Sequence, residues 1–158
     1  ALLGLVAMTG CGKDAVPAAT SAANTPVLEI TTRQGSATPV SVGYTCYVFR
    51  SMDGGATYGF YEKISNAISG MKLPWQRVNL EGYDFRFLFV AQPAGGAGVE
   101  IVDANDLPLI AGTDWEDVNV VALSRALPMH CYYGVEEMTG ESILDTGTIH
   151  CQLERMVG

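Results

Sequence analysis

Two His-Cys dipeptides, His130-Cys131 and His150-Cys151, are the residues whose types and spacing could most readily do chemistry in this sequence. Both lie in predicted strands, so neighbouring strands would place the two cysteines on one face and the two histidines on the other. That arrangement favours a Cys131–Cys151 disulfide over a single four-ligand metal site, and zinc-type ligand spacing is absent. A bond from Cys46 to one of these two cysteines is the alternative. We therefore predict a disulfide and no metal.

Acidic and amide side chains crowd a second stretch, in which calcium binding outside the cell is conceivable because weak oxygen sites suffice there. The EF-hand pattern fails, however, with Leu107 at the fifth place and Pro108 where glycine is required. A turn followed by the start of a helix is the interpretation we favour. The residues concerned are Asp103, Asn105, Asp106, Asp114, Glu116 and Asp117.

Motifs for catalysis and cofactor binding are weak in this sequence. It contains no Gly-x-Ser-x-Gly elbow and no His-Glu-x-x-His motif. The glycine cluster at 95–98 lacks the Lys-Ser/Thr of a P-loop and precedes a predicted strand, where a dinucleotide site needs a helix. The sequence therefore predicts neither an enzyme nor a cofactor.

Composition favours a folded protein outside the cytosol. Of the 158 residues, 48% are hydrophobic and 16% charged, which predicts a packed core of single-domain size. The net charge of −8 argues against nucleic acid as a partner, because nucleic-acid binding needs clustered lysine and arginine. Four cysteines fit an oxidising compartment.

Periodicity predicts an α+β fold, mainly β: an antiparallel sheet or sandwich with one or two covering helices. The strand at 83–90 is predicted to form a hairpin with the strand at 99–102. The last two strands are predicted to pair, with Cys151 buried and His150 more exposed. The predicted strands are 27–32, 40–49, 83–90, 99–102, 129–134 and 148–157, and the predicted helices are 58–70 and 115–126.

The N-terminal stretch is apolar and ends in Met8-Thr9-Gly10-Cys11. It resembles the lipobox of bacterial lipoproteins, which implies a cleaved signal peptide and a lipid attached to Cys11. Several acyl chains anchor a protein far more firmly than one. In that family, Gly12 in place of aspartate implies the outer membrane. The chain then divides into an apolar leader or inserted N-terminal segment at 1–10, a flexible tether at 11–26, and one β-rich domain at 27–158.

A shorter resemblance covers residues 99–112. The valine run, the Asp103-Ala104-Asn105 turn, Leu107-Pro108 and Gly112 are similar to a strand–turn–strand of bacterial immunoglobulin-like adhesion modules. Asp106 stands where those modules usually have glycine.

We expect from these features a non-enzymatic, secreted lipoprotein of the cell envelope, located at the outer membrane or cell surface. It would act as a binding or assembly component, with other envelope proteins or copies of itself as partners. The alternative is a structural subunit of an extracellular filament or viral particle, whose apolar N-terminus packs into a neighbouring subunit.

Overall fold

A computed structural model describes residues 25–32, 42–93, 99–122 and 132–155. These ranges contain eight strands, two short α-helices and one turn of 3₁₀ helix at Trp115–Asp117. The strands are β1 Val27–Thr32, β2 Val42–Ser51, β3 Gly59–Ser65, β4 Asp84–Pro93, β5 Val99–Val102, β6 Asn119–Ala122, β7 Tyr132–Thr139 and β8 Thr148–Arg155. The α-helices are α1 Arg77–Leu80 and α2 Gly140–Thr146.

Six strands form one curled, mixed sheet, in the order β1-β8-β7-β4-β2-β3. Only the β1–β8 pair is parallel within this sheet, and the remaining neighbours are antiparallel. Strands β5 and β6 form a separate antiparallel hairpin. The mainly β prediction is confirmed, with the difference that the predicted antiparallel sheet contains this one parallel pair.

The inner face of the curled sheet carries the larger core. On β4, Phe85, Phe87 and Phe89 point inward because alternate residues of a strand share a face. The Trp75 ring stacks on Phe85 at a centroid distance of 5.6 Å, and it is 3% exposed. Leu80, the last residue of α1, is fully buried in the same cluster, so the end of α1 packs on this face.

A second core lies on the outer face, beneath the β5–β6 hairpin. Leu88 and Val90 of β4 face this side, and Val99 and Ile101 of the hairpin pack against them. Phe49 of β2 is fully buried in the same cluster. The central strands are therefore covered on both faces, which explains their nearly continuous hydrophobic sequence.

The segment after β3 covers the free edge of β1. The Ala67 amide donates to the carbonyl of Tyr44 on β2 at 3.1 Å. Further on, the carbonyl of Met71 accepts from the Leu28 amide at 2.9 Å, and the Gly70 amide donates to the Leu28 carbonyl at 2.8 Å. One stretch of backbone thus joins the two ends of the curled sheet and satisfies polar groups that an edge strand would leave unpaired.

The predicted helix at 58–70 is wrong. Residues 59–65 form β3, paired with β2, and the register shifts opposite Val48 and Phe49 so that Tyr61 is an extra residue. A bulge of this kind interrupts the period-two pattern. Phe60 consequently packs on the outer face and Ile64 on the inner face, and their spacing imitates a helical stripe.

The predicted helix at 115–126 is also wrong in the part that the structure describes. Asp114 caps a single turn of 3₁₀ helix, which ends at Asp117, and β6 follows after Val118. The β-branched residues Val120 and Val121 have the stronger preference for a strand.

Pairing of the strands was predicted correctly in one place and wrongly in another. The strand at 99–102 pairs with β6 and not with the strand at 83–90, which lies between β2 and β7. The last two strands pair as predicted, through Tyr132 with Arg155 and Tyr133 with Glu154.

Candidate functional site

The two cysteines that the structure describes are core residues. Cys46 of β2 and Cys151 of β8 are both fully buried on the inner face, and they are not bonded to each other. Burial raises the pKa of the Cys46 thiol well above its usual value, and the charges of Cys151 and Glu62 raise it further. Burial, followed by Glu136, raises the pKa of Cys151 in the same direction. As thiols they behave as small apolar side chains and not as nucleophiles.

The other predicted cysteine roles stay predictions. Cys11 and Cys131 lie outside the described residues, so lipid attachment at Cys11 and the Cys131–Cys151 disulfide are not tested. The predicted contrast on β8 is confirmed: Cys151 is buried, whereas the His150 side chain is 52% exposed on the opposite face. His150 Nδ1 lies 3.1 Å from a carboxylate oxygen of Glu29 on β1.

The acidic side chains at 103–117 form hydrogen bonds with nearby backbone amides. Asp103 Oδ1 accepts hydrogen bonds from the amides of Asn105 and Leu107, which closes a turn. Asp114 Oδ1 accepts from the Glu116 amide and caps the 3₁₀ helix. Nowhere in the described ranges do three or more His, Cys, Asp or Glu side chains form a group that could hold a metal ion.

The resemblance of 99–112 to an immunoglobulin-like strand–turn–strand has a partial structural counterpart. Strand β5 and the Asp103 turn are present, but beyond the turn the chain returns to β5 only through one bridge, Val102 to Pro108. The strand that pairs with β5 along its whole length is β6.

Three clefts lie at one end of the sheet, which we call the loop end. It is formed by the β2–β3 loop at 52–58 and the connection at 103–114. Ala111 and Gly112 line two of these clefts, one beside Asp103 and one beside Arg50. Loops held by a rigid sheet are the usual place for binding residues.

The β2–β3 loop is held in one conformation by a polar network. The buried Ser51 hydroxyl donates to Asp53 Oδ1 at 2.7 Å and accepts from the Gly55 amide at 2.9 Å. The Asp53 carboxylate also accepts from the amide and the hydroxyl of Thr57. The hydrogen bond from Ser51, followed by those from Thr57, holds the pKa of Asp53 well below its usual range. The loop therefore presents its remaining side chains from a fixed backbone.

Large apolar side chains are exposed on this rigid loop end. Met52 is 77% exposed, Ile110 is 70% exposed and Leu107 is 57% exposed. Methionine, arginine and aromatic residues are each enriched at protein interfaces, and Met52, Arg50 and Phe60 line one cleft here. The loop end therefore has the composition of a binding surface.

Two arginines at this end are each held between aromatic rings, on opposite faces of the sheet. On the outer face, Arg86 lies 4.2 Å from the ring centroid of Tyr58 and 4.9 Å from that of Trp115. Its Nε and Nη2 donate to Glu137 Oε2 at 2.9 and 2.6 Å. This arginine is electrostatically satisfied and holds β4, β7 and the 3₁₀ helix together.

On the inner face, Arg50 lies 4.2 Å from the ring centroids of both Tyr61 and Tyr83. It lines a cleft of about 220 Å³ together with Met52, Phe60 and Gly112. Sequence reasoning missed this site and the Arg86 site. The signal that would have revealed them is an arginine within an apolar strand, in Phe49-Arg50 and in Phe85-Arg86-Phe87.

The chain belongs to the family described as a domain of unknown function (DUF5031), whose model matches residues 6–158. A search of curated proteins and a search of solved structures found no match. The matched range contains both the lipobox-like segment and the residues of the loop end. Among the described helices, none is long and apolar enough to cross a membrane.

Proposed function

We propose that this protein is a non-enzymatic lipoprotein of the cell envelope that acts as a binding or assembly component, with the loop end as its binding surface. One observation carries the binding role: Met52, which is 77% exposed, lines a cleft that also contains Arg50, whose guanidinium carbon lies 4.2 Å from the ring centroids of Tyr61 and Tyr83. An exposed apolar side chain that borders a groove beside a charged group is typical of a binding site on a folded protein.

The lipid anchor is supported by sequence alone, through Met8-Thr9-Gly10-Cys11. An anchor there would precede β1 by the stretch at 12–26, which is rich in small and polar residues. Such a stretch would act as a tether and let the domain reach partners above a membrane surface. Outer-membrane placement follows from Gly12 after the modified cysteine, as the resemblance implies.

Mass spectrometry of the native full-length protein tests the anchor. The expected product begins at Cys11 and carries the mass of its acyl chains, and a Cys11→Ser variant remains unlipidated. A native chain without lipid that still carries Leu2 and Leu3 would contradict the proposal.

The alternative, a structural subunit that receives a neighbour's N-terminal segment, is favoured by one feature of the sheet. Strand β3 is an edge strand, and among the described residues no strand pairs with its outer side beyond Phe60. An open edge can accept an added strand. Concentration-dependent assembly of the full chain, lost after deletion of residues 1–10, would favour this alternative over the lipoprotein proposal.

A further inference from the structure

Arg50 differs from Arg86 in one respect that matters for binding. Each guanidinium carbon lies 4.2–4.9 Å from the centroids of two aromatic rings, and Arg86 in addition donates to Glu137. Within the described ranges, no carboxylate, carbonyl or hydroxyl oxygen accepts a hydrogen bond from Arg50. Arg50 is therefore a half-buried arginine beside two tyrosine rings, and its N–H donors have no acceptor among the described residues.

The two tyrosine rings beside the guanidinium restrict where its donors can point. A guanidinium carries five N–H groups that all point outward in its own plane, so its hydrogen bonds form at the edge of that plane. Because Tyr61 and Tyr83 already restrict the side chain, little conformational freedom is lost when a ligand binds. The edge of a guanidinium matches the two oxygens of a carboxylate.

The cleft around Arg50 determines what can accompany that carboxylate. Its volume of about 220 Å³ is below the usual range for drug-sized ligands and suits a group of side-chain size. Phe60, Met52 and Ala111 give it apolar walls. The Asp53 carboxylate of the neighbouring loop accepts hydrogen bonds from Ser51 and Thr57, and among the described residues it makes no ion pair with Arg50.

We propose that the Arg50 cleft binds a carboxylate that carries an adjoining apolar group. The carboxylate pairs with the guanidinium edge, and the apolar group lies against Phe60 and Met52. A free small carboxylate and the C-terminal carboxylate of a peptide share this chemistry. This assignment rests on the binding role proposed above and specifies its ligand.

Titration of the full-length protein with N-acetylphenylalanine tests the assignment, with the corresponding amide as the matched probe that lacks the carboxylate. We expect the acid to bind at least tenfold more tightly than the amide, and acetate or inorganic phosphate to bind more weakly than the acid. A short peptide that ends in phenylalanine distinguishes the two sources, since tighter binding of the peptide indicates a chain terminus. Equal binding of acid and amide, or tighter binding of phosphate, would overturn the assignment.

Variants locate the site. Arg50→Gln is expected to abolish the preference for acid over amide, whereas Arg50→Lys keeps the charge and loses the planar fork, so the preference should fall several-fold. Arg86→Lys is the matched control, because it alters the equivalent stacked arginine on the other face and should keep the preference. Loss of the preference in Arg86→Lys and its retention in Arg50→Gln would refute the assignment.

A measurement on the unaltered protein guards against misfolded variants. The Nε–Hε resonance of Arg50 should shift on addition of the acid, and that of Arg86 should not. An Arg50 resonance that stays fixed at saturating acid contradicts the proposal. Lipidation at Cys11 is measured separately by mass, so a failure of the ligand assignment is distinguishable from a failure of the anchor.

Discussion

At Gly140, the addition of a single methyl group by Gly140→Ala is expected to destabilise the fold strongly. Gly140 begins α2, and its amide donates to the Tyr83 carbonyl at 2.7 Å. A Cβ at this position would lie 1.7 Å from the Leu80 carbonyl oxygen and 3.0 Å from the Tyr83 oxygen. Because both neighbours are backbone atoms, Gly140→Ala cannot be accommodated by a side-chain rotation.

The expected cost follows from this geometry. The start of α2 and the end of α1 would have to separate by about 1.7 Å to reach an ordinary contact of 3.4 Å. Overpacking on this scale costs about 1–3 kcal/mol, and a lost hydrogen bond about 0.5–1.5 kcal/mol. We therefore expect the free energy of unfolding to fall by about 3 kcal/mol. For a domain of this size, that lowers Tm by about 6–12 °C.

Urea unfolding followed by tryptophan fluorescence measures the effect, because Trp75 is buried against Phe85. Ser142→Ala, in the same helix, is the matched control and should stay within about 0.5 kcal/mol of the parent. If Gly140→Ala is as stable as Ser142→Ala, the close approach of α2 to Leu80 is not a constraint and the reasoning fails.

Three further outcomes are expected. In a variant that lacks the other two cysteines, Cys46 and Cys151 should resist a thiol reagent at pH 8 until urea unfolds the chain, because burial raises the pKa of both; rapid labelling of the native protein would contradict this. Asp53→Asn should lower Tm at pH 7. The difference from the parent should begin to narrow as the pH falls below about 4, because a carboxyl whose pKa is lowered by folding stabilises the fold above its unfolded pKa and loses that contribution gradually as the pH falls towards the folded pKa. An unchanged difference at pH 3 argues against the loop network. Truncation before Thr148 should cause aggregation on size-exclusion chromatography, because β1 and β7 both lose a partner; a soluble monomer would speak against it.

Those parts of the fold that depend on strict alternation could be predicted from sequence. The pattern Ile149-His150-Cys151-Gln152-Leu153 sets three buried and two exposed residues on β8, as the structure shows. The aromatic residues of β4 likewise point to one face. Both cases work because a strand with one buried face repeats every two residues.

Other parts depend on contacts that the local sequence does not encode. The extra residue Tyr61 in β3 breaks the alternation, so residues 58–70 imitate a helix. The partner of 99–102 is β6 because Val99 and Ile101 must cover Leu88 and Val90, which is a tertiary requirement. The Arg50 cleft joins residues from β2, β3 and the connection at 103–114, and only the folded chain brings them together.

The parallel pairing of β1 with β8 has a consequence for the order in which the molecule can form. Glu29 and His150 are 121 positions apart, yet they are opposite each other in this register. Before the residues of β8 have been synthesised, β1 can bond, among the described residues, only to the segment at 69–73, and β8 must later fit between β1 and β7. Contacts between such distant residues slow folding, so we expect milliseconds to seconds and not microseconds. During synthesis, the edge of β1 that β8 will occupy therefore stays without its strand partner, and the completed sheet forms only after translation of β8.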